Sequence, residues 1–413
     1  MRGCQNPWTG GVGGAAVLAM AAVLAVNPPA FLAGGHRFYL LLIPMCAAML
    51  WIEFSSRPLR LCRWAELPGY HRSWKKILVS AAWRYGVLAA VATVFYAIYE
   101  RFPYYVSDYF DPFRSFVRIL YLGFLLIGYP YIVATLRWRG SVKEELSDTA
   151  LILMAAGRAA WRTRGARPGG EGPRRRVWAA VGGILVEAFF LPLMTVFLSM
   201  QYAQLSIHLG RLAGGAPGGF AYWETVYRIL FHSLYLMDVA LAIAGYALPS
   251  RWLDNKIRSV EPTFVGWLSA ISCYPPFNEM IFRYMVFEQN PEYQIIHSEP
   301  VLLALMALDL FFMGLYVWAT MAFGFRFSNL THRGVIARVP YAYLRHPAYA
   351  GKNLSWWVET IPYLGNPVYL VSLIGWNIIY VLRATTEEDH LERDPEYRAY
   401  AEQVRYRFIP GLY

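Results

Sequence analysis

Charge is what this chain has least of. Only 16% of its 413 residues are Asp, Glu, Lys or Arg, against about a quarter in ordinary soluble domains. That deficit excludes a fully solvated surface. Cysteine is also sparse. Cys4, Cys46, Cys62 and Cys273 show no paired spacing, no CxxC and no nearby histidine cluster. The pattern offers neither a disulfide framework nor a zinc or iron–sulfur site, so no metal is expected and the thiols read as small apolar groups. No internal repeat relates the two halves, which weakens a transporter reading based on inverted repeats.

What fills the chain instead is apolar: 57% of residues are hydrophobic and 17% aromatic. The apolar residues come in long runs near 11–30, 38–54, 77–98, 116–136, 177–199, 226–249, 263–283 and 300–322. Each run is long enough to cross about 30 Å of hydrocarbon. A further pair, near 353–364 and 367–384, is separated by Leu364-Gly365-Asn366-Pro367 and reads as a helical hairpin. Many Trp and Tyr stand at the ends of runs, as in interfacial belts. The expected fold is therefore all-α: a polytopic helical membrane protein with about eight spans plus a C-terminal hairpin. The run after Arg2 reads as a retained first span, because Asn27-Pro28-Pro29 is a poor cleavage site.

The net charge of +11 lies in the connections, so it points to lipid headgroups and topology rather than to nucleic acid. One set of connections holds Arg2, the cluster from Arg57 to Lys76, the run from Arg137 to Arg176, Arg251 to Arg258, Arg326 to Lys352, and the C-terminal tail. The alternate set holds little beyond Arg37, Arg101, Arg114 and Arg211. This asymmetry places both termini and the 323–352 loop in the cytoplasm. The expected location is an inner (cytoplasmic) bacterial membrane.

Two regions are expected. Residues 1–260 form a membrane module of unknown role, with a basic linker near 137–176. Within that linker Val142 to Trp161 suits a helix lying on the membrane, and the Gly/Pro/Arg stretch from Arg164 to Arg176 suits a flexible connection. Residues 261–413 form a second region. Arg84, Glu187, His232, Asp238, Glu279 and Asp309 fall in or near apolar runs, where ionisable groups pair across helices or line a cavity.

The informative motifs lie near the C-terminus. Arg345-His346-Pro347 precedes a span, and Pro347 suits the first turn of a helix. His346 would then sit at the helix N-terminus, where backbone N–H groups meet anions. Gly351 permits close approach of backbone or ligand. Glu387 and Glu388 stand at the exit of the next span, so the hairpin returns them to the same face as Arg345-His346-Pro347. Adjacent helical residues point about 100° apart, so the two carboxylates have different partners. Such a group suits a zwitterionic, nucleotide-like ligand.

Taken in order, Pro340 to Gly351 (Pro-Tyr-Ala-Tyr-Leu-Arg-His-Pro-Ala-Tyr-Ala-Gly), Arg383 to Glu388, Tyr397 with Tyr400, and Pro410 resemble the isoprenylcysteine carboxyl methyltransferase family and related phospholipid methyltransferases. The resemblance covers roughly 300–413. It implies S-adenosylmethionine bound in a pocket open to the cytosol, and a lipid or lipid-modified acceptor entering from the bilayer. Carried over, Arg345, His346, Pro347, Tyr349 and Gly351 border the cofactor, and Glu387 or Glu388 holds its amino group. Arg383 and Glu387 are the catalytic assignments, with Asn353 and Trp357 as outlying pocket residues. The end of the chain also resembles membrane sterol reductases, which use NADPH. Those tend to have Asp where this chain has Lys352, and Asp-Glu where it has Glu387-Glu388. The alternatives are thus an NADPH-dependent reductase, or a non-catalytic transporter or scaffold. A carboxylate acceptor would need alignment and desolvation but no base, whereas an amine or hydroxyl would need one.

Overall fold

The computed structural model describes residues 6–26, 38–55, 73–139, 149–162, 171–215, 218–250, 253, 255–282, 285 and 290–411. The first basic loop, most of the expected Arg164–Arg176 linker, and Cys4 and Cys62 lie outside them. Among the described residues there are twelve helices of eight or more residues. They are α1 (Thr9–Val26), α2 (Tyr39–Ser55), α3 (Trp74–Arg101), α4 (Asp111–Arg139), α5 (Thr149–Arg162), α6 (Glu171–Ala213) and α7 (Phe220–Ala247), followed by α8 (Phe264–Ile271), α9 (Glu299–Phe323), α10 (Pro347–Thr360), α11 (Pro367–Leu391) and α12 (Pro395–Gln403). A two-residue ribbon, β1 (Ser259–Val260) with β2 (Thr331–His332), pairs antiparallel.

Among the described residues, six helices are long and apolar enough to cross a membrane: α3, α4, α6, α7, α9 and α11. α1 and α2 are apolar but shorter. Two expected spans take other forms. The run 263–283 is not one helix: α8 ends at Ile271, and a six-residue helix follows over Phe277–Phe282. Pro275 and Pro276 stand at the break, where neither ring nitrogen has a hydrogen to donate to a continuing helix. The first arm of the hairpin, α10, has 14 residues, or about 21 Å at 1.5 Å per residue. Asn366 caps α11 by accepting from the Val368 N–H, with Pro367 in the first turn. This fixes the turn where the Gly-Asn-Pro sequence placed it.

The expected flexible stretch before the fifth run is also shortened. Helix α6 begins at Glu171, so residues 171–176 are its first turns. Pro173 sits where a missing N–H costs no helical bond.

α7 is the axis of the molecule. Its run from Val239 to Gly245 is buried on every side, with Ala240, Leu241 and Ala242 at 0% exposure. Small side chains let α1, α6 and α9 approach it together. The main apolar core includes Val17 of α1, Met45 of α2, Phe113 of α4, Phe190 of α6, and Val260 and Phe325 from the two loops joined by the ribbon. It therefore runs across the expected boundary at residue 260.

The ionisable groups flagged within spans mostly join helices. Glu187 of α6 pairs with Arg333 at 3.1 Å. Asp238 of α7 accepts from Tyr316 at 2.5 Å and Thr320 at 2.7 Å on α9. Asp309 accepts from Tyr227 at 2.8 Å and from Ser355. His232 meets Gln201 at 2.7 Å. Arg84 donates to Ser80 on its own helix, and Glu279 is exposed. These contacts fit interhelical pairing, the arrangement that satisfies polar groups in an apolar bundle.

Among the described residues, basic segments far apart in sequence meet at one end of the bundle, where Arg258 reaches Asp394 and Glu396 at 3.7 and 3.3 Å. The ribbon places Ser259 opposite His332. At the same end, Asn6 N–H and Thr9 Oγ1 donate to Glu53, at 3.1 and 2.5 Å. The chain's last described segment lies beside Arg345 and His346.

Candidate functional site

Four segments converge at that end: the loop 324–346, the start of α10, the last turns of α11, and the tail after α12. Asp394 caps α12 by accepting from the Glu396 N–H, with Pro395 in the first turn. The tail then runs back along the Arg-His-Pro segment. Arg345 N–H donates to the Tyr406 carbonyl and His346 N–H to the Arg407 carbonyl, both at 2.9 Å. Tyr400 Oη closes the corner by donating to the Tyr341 carbonyl at 2.8 Å.

The two adjacent glutamates separate as their 100° offset demands. Glu388 is 1% exposed. One of its oxygens meets His346 Nε2 at 2.8 Å; the other accepts from Arg345 at 3.1 Å and Arg407 Nε at 2.8 Å. His346 and Glu388 are thus withdrawn from solvent. They are buried against each other, because a carboxylate at this corner gathers three basic groups from two segments that the chain must hold together. Glu388 lies behind the pocket wall.

Glu387 is only half-buried and lines the pocket. Tyr349 Oη donates to one of its oxygens at 2.7 Å; the other makes no hydrogen bond among the described residues. Around it the walls are aromatic. Tyr349 stacks on His346 with centroids 5.4 Å apart and meets Tyr380 edge-on at 5.4 Å. Arg383 lies 5.2 Å over the Tyr349 ring and 5.7 Å over Tyr380, and donates to Asn329 Oδ1. Deeper in, Lys352 Nζ sits 5.3 Å from the Tyr316 centroid and 5.4 Å from that of Trp356. Burial pushes the Tyr341, Tyr397 and Tyr400 phenols above the usual tyrosine range, so these wall residues stay neutral.

Of the residues singled out by sequence, Arg345, His346, Tyr349, Arg383 and Glu387 line one pocket together. Pro347 and Gly351 do not. Pro347 is buried in the first turn of α10. Gly351 faces α9, where an added Cβ would lie 2.8 Å from both the Phe312 carbonyl oxygen and the Tyr316 nitrogen. Its close approach is to a helix backbone. Asn353 donates to the Tyr349 carbonyl at 2.8 Å, and neither it nor Trp357 lines the pocket.

Sequence reasoning missed Lys352, Asn329, Tyr274, Tyr316 and Arg333, all of which line it. Lys352 was legible in principle, standing three residues after Tyr349 on the same helical face. Tyr274 and Tyr316 carried no local signal, because their approach depends on how α8, α9 and α11 pack. Comparison with family models, with curated proteins and with solved structures found no match.

The donor set can hold a ligand that carries both signs of charge. Glu387 offers a carboxylate edge, Arg383 and Lys352 offer cations, and the tyrosines offer ring faces to a cation or a flat heterocycle.

Proposed function

We propose that this chain is an S-adenosylmethionine-dependent membrane methyltransferase acting on a lipophilic or lipid-linked acceptor at the cytoplasmic face. The observation that carries this reading is the division of labour between the glutamates. Glu388 ties the tail to the Arg-His-Pro segment, while Glu387 keeps a carboxylate oxygen available beside Tyr349 inside an aromatic pocket. In this reading Glu387 accepts from the cofactor's amino group and Tyr349 fixes the orientation of Glu387. The rings of Tyr349, Tyr380 and Tyr316 would supply the aromatic wall for the cofactor's cation. Arg383, held over two of those rings, orients an anionic group of the acceptor. When bound, the cofactor supplies an electrophilic methyl carbon. The residues' work is to exclude water and align the acceptor with it. The concentration of Lys and Arg at the pocket end of the bundle supports a cytoplasmic site, with both termini on that side, in a bacterial inner membrane.

A second reading, an NADPH-dependent reductase, is favoured by one observation. Arg383 and Lys352 line the pocket with no carboxylate within ion-pair reach among the described residues, as a phosphate-bearing dinucleotide would require. Titration calorimetry on detergent-purified protein separates the two. S-adenosylhomocysteine is expected to bind at least about tenfold more tightly than NADPH, and Glu387→Gln to weaken it by roughly ten- to a hundredfold, the loss of one charge-assisted hydrogen bond. Tighter NADPH binding, insensitive to Glu387→Gln, would make the reductase reading the correct one.

A further inference from the structure

A second, larger cavity of about 960 Å³ opens at the same end of the bundle, at the upper end of the size range of ligand sites. It is built by α3, α4, α5, α6, the loop before β1 and the start of α12. Among the described residues, His332 is its one lining residue in common with the tyrosine-lined pocket. It is therefore a separate space on the other side of the ribbon.

Its chemistry changes along its depth. The outer part carries Arg175, Arg176, Lys256, Arg258 and Arg393. Arg258 is shared with Asp394 and Glu396, at 3.7 and 3.3 Å. Arg176 and Arg393 are exposed, and neither has a carboxylate within ion-pair reach among the described residues. The inner part is walled by Leu88, Ile132, Leu136, Ile152, Ala180 and Ile184, with Glu187, whose charge is met by Arg333 at 3.1 Å, among them. It reaches Arg84, about 15 Å along α3 from Trp74 at 1.5 Å per residue.

A solvated basic loop would spread its charges outward. Here cations from α6, the ribbon approach and the α11–α12 corner instead converge on the mouth of an apolar slot within the membrane-crossing helices. That combination matches one occupant: an anionic phospholipid, with its phosphate among the rim arginines and an acyl chain between α3, α4 and α6. Basic pockets between transmembrane helices bind acidic headgroups for this reason. A soluble phosphate would leave the apolar slot unfilled, and a neutral lipid would leave Arg176 and Arg393 uncompensated. We propose that this cavity is an anionic-phospholipid site, independent of the tyrosine-lined pocket.

Native mass spectrometry of the full-length protein, titrated with dioleoylphosphatidylglycerol, dioleoylphosphatidylcholine and glycerol phosphate, tests it. The phosphatidylglycerol adduct is expected to form at least about tenfold more tightly than the phosphatidylcholine one. Arg176→Gln with Arg393→Gln is expected to erase that preference. Both side chains are exposed, so the pair should leave the thermal midpoint in detergent unchanged. Ile184→Trp, which fills the slot and leaves the rim intact, is expected to remove the adduct as well. Equal binding of the two lipids, or a preference that survives the double substitution, would overturn the proposal. Competition by glycerol phosphate at the concentration where phosphatidylglycerol binds would reassign the cavity to a soluble phosphate.

Discussion

The hairpin of α3 and α4 and the C-terminal group α9 to α12 show two ways of holding helices together. In the apolar stretches of α3, α4 and α9 alike only 17% of residues are buried, rising to 39% in α11, so the difference lies in how the helices are joined. Leu126 on α4 is 78% exposed and Trp83 on α3 is 66% exposed. The two helices meet through rings, such as Tyr96 stacked on Tyr121 at 4.5 Å, and through Arg118 on Glu100 at 2.7 Å. At the C-terminal end the contacts are buried, polar and long-range: Glu388 joins a loop 43 residues before it to a tail 19 residues after it. Apolar helices tolerate loose association, whereas a buried ionic corner is strong only when complete.

Removing Glu388 is the most severe way to break that contrast. Glu388→Ala leaves His346, Arg345 and Arg407 facing one another without a carboxylate. Breaking a buried pair on one side costs about 3–5 kcal/mol. Thermal unfolding in detergent should show a large fall in midpoint, together with protease sensitivity of the tail after Val404. A parent-like midpoint would show that the corner does not hold the tail.

Gly351→Ala probes the close approach of α10 to α9. An added methyl meets main-chain atoms, which cannot swing away as a side chain does, so a cost of about 1–3 kcal/mol is expected from overpacking. The same measurement reads it, and an unchanged midpoint would mean that α9 and α10 separate easily.

The ribbon adds a pH dependence. Burial holds the His332 imidazole below its usual range, opposed by Asp394 at 3.5 Å, with Arg258 adding to the lowering. Because the folded value lies below the unfolded one, near 6.5, the unfolded chain takes up the proton more readily. Stability from this residue is then complete above about pH 6.5 and declines as pH falls below it. His332→Gln should flatten that part of the stability–pH curve; an unchanged slope would assign the dependence to another group.

The smallest effect is expected on the lipid-facing hairpin. Leu126→Ala removes a side chain that packs on little of the protein, so a change within about 0.5 kcal/mol is expected. A loss of 2 kcal/mol or more, the cost of about one buried leucine, would show that α4 has a protein neighbour on that face.

Much of this was legible in one dimension. The long apolar runs of α3, α4, α6, α7, α9 and α11 announced helices of crossing length, and Asn366-Pro367 announced the hairpin turn. The hairpin turn groups Arg345 and His346 with Glu387, because it returns their segments to one end; Tyr349 and Arg383 join that group through the family resemblance, and the pocket lining holds all five. The roles within that group were not legible. Nothing local distinguishes Glu387 from its neighbour; the distinction arises because Arg407 of the tail comes back to Glu388. Likewise, nothing in the composition of 263–283 says whether the run continues as a helix, beyond the proline pair that interrupts it.

By itself, then, the sequence determined the all-α character, the crossing-length helices and the end of the bundle at which the basic loops collect. Hydropathy, helix stop signals and charge act over a few residues and need no partner. Only the tertiary structure decided which helices are buried, which glutamate is spent on the tail, which tyrosines close the pocket, and that a second cationic slot opens between α3, α4 and α6. Each of these depends on groups tens to hundreds of residues apart meeting within hydrogen-bonding or packing distance, and such contacts are set by packing.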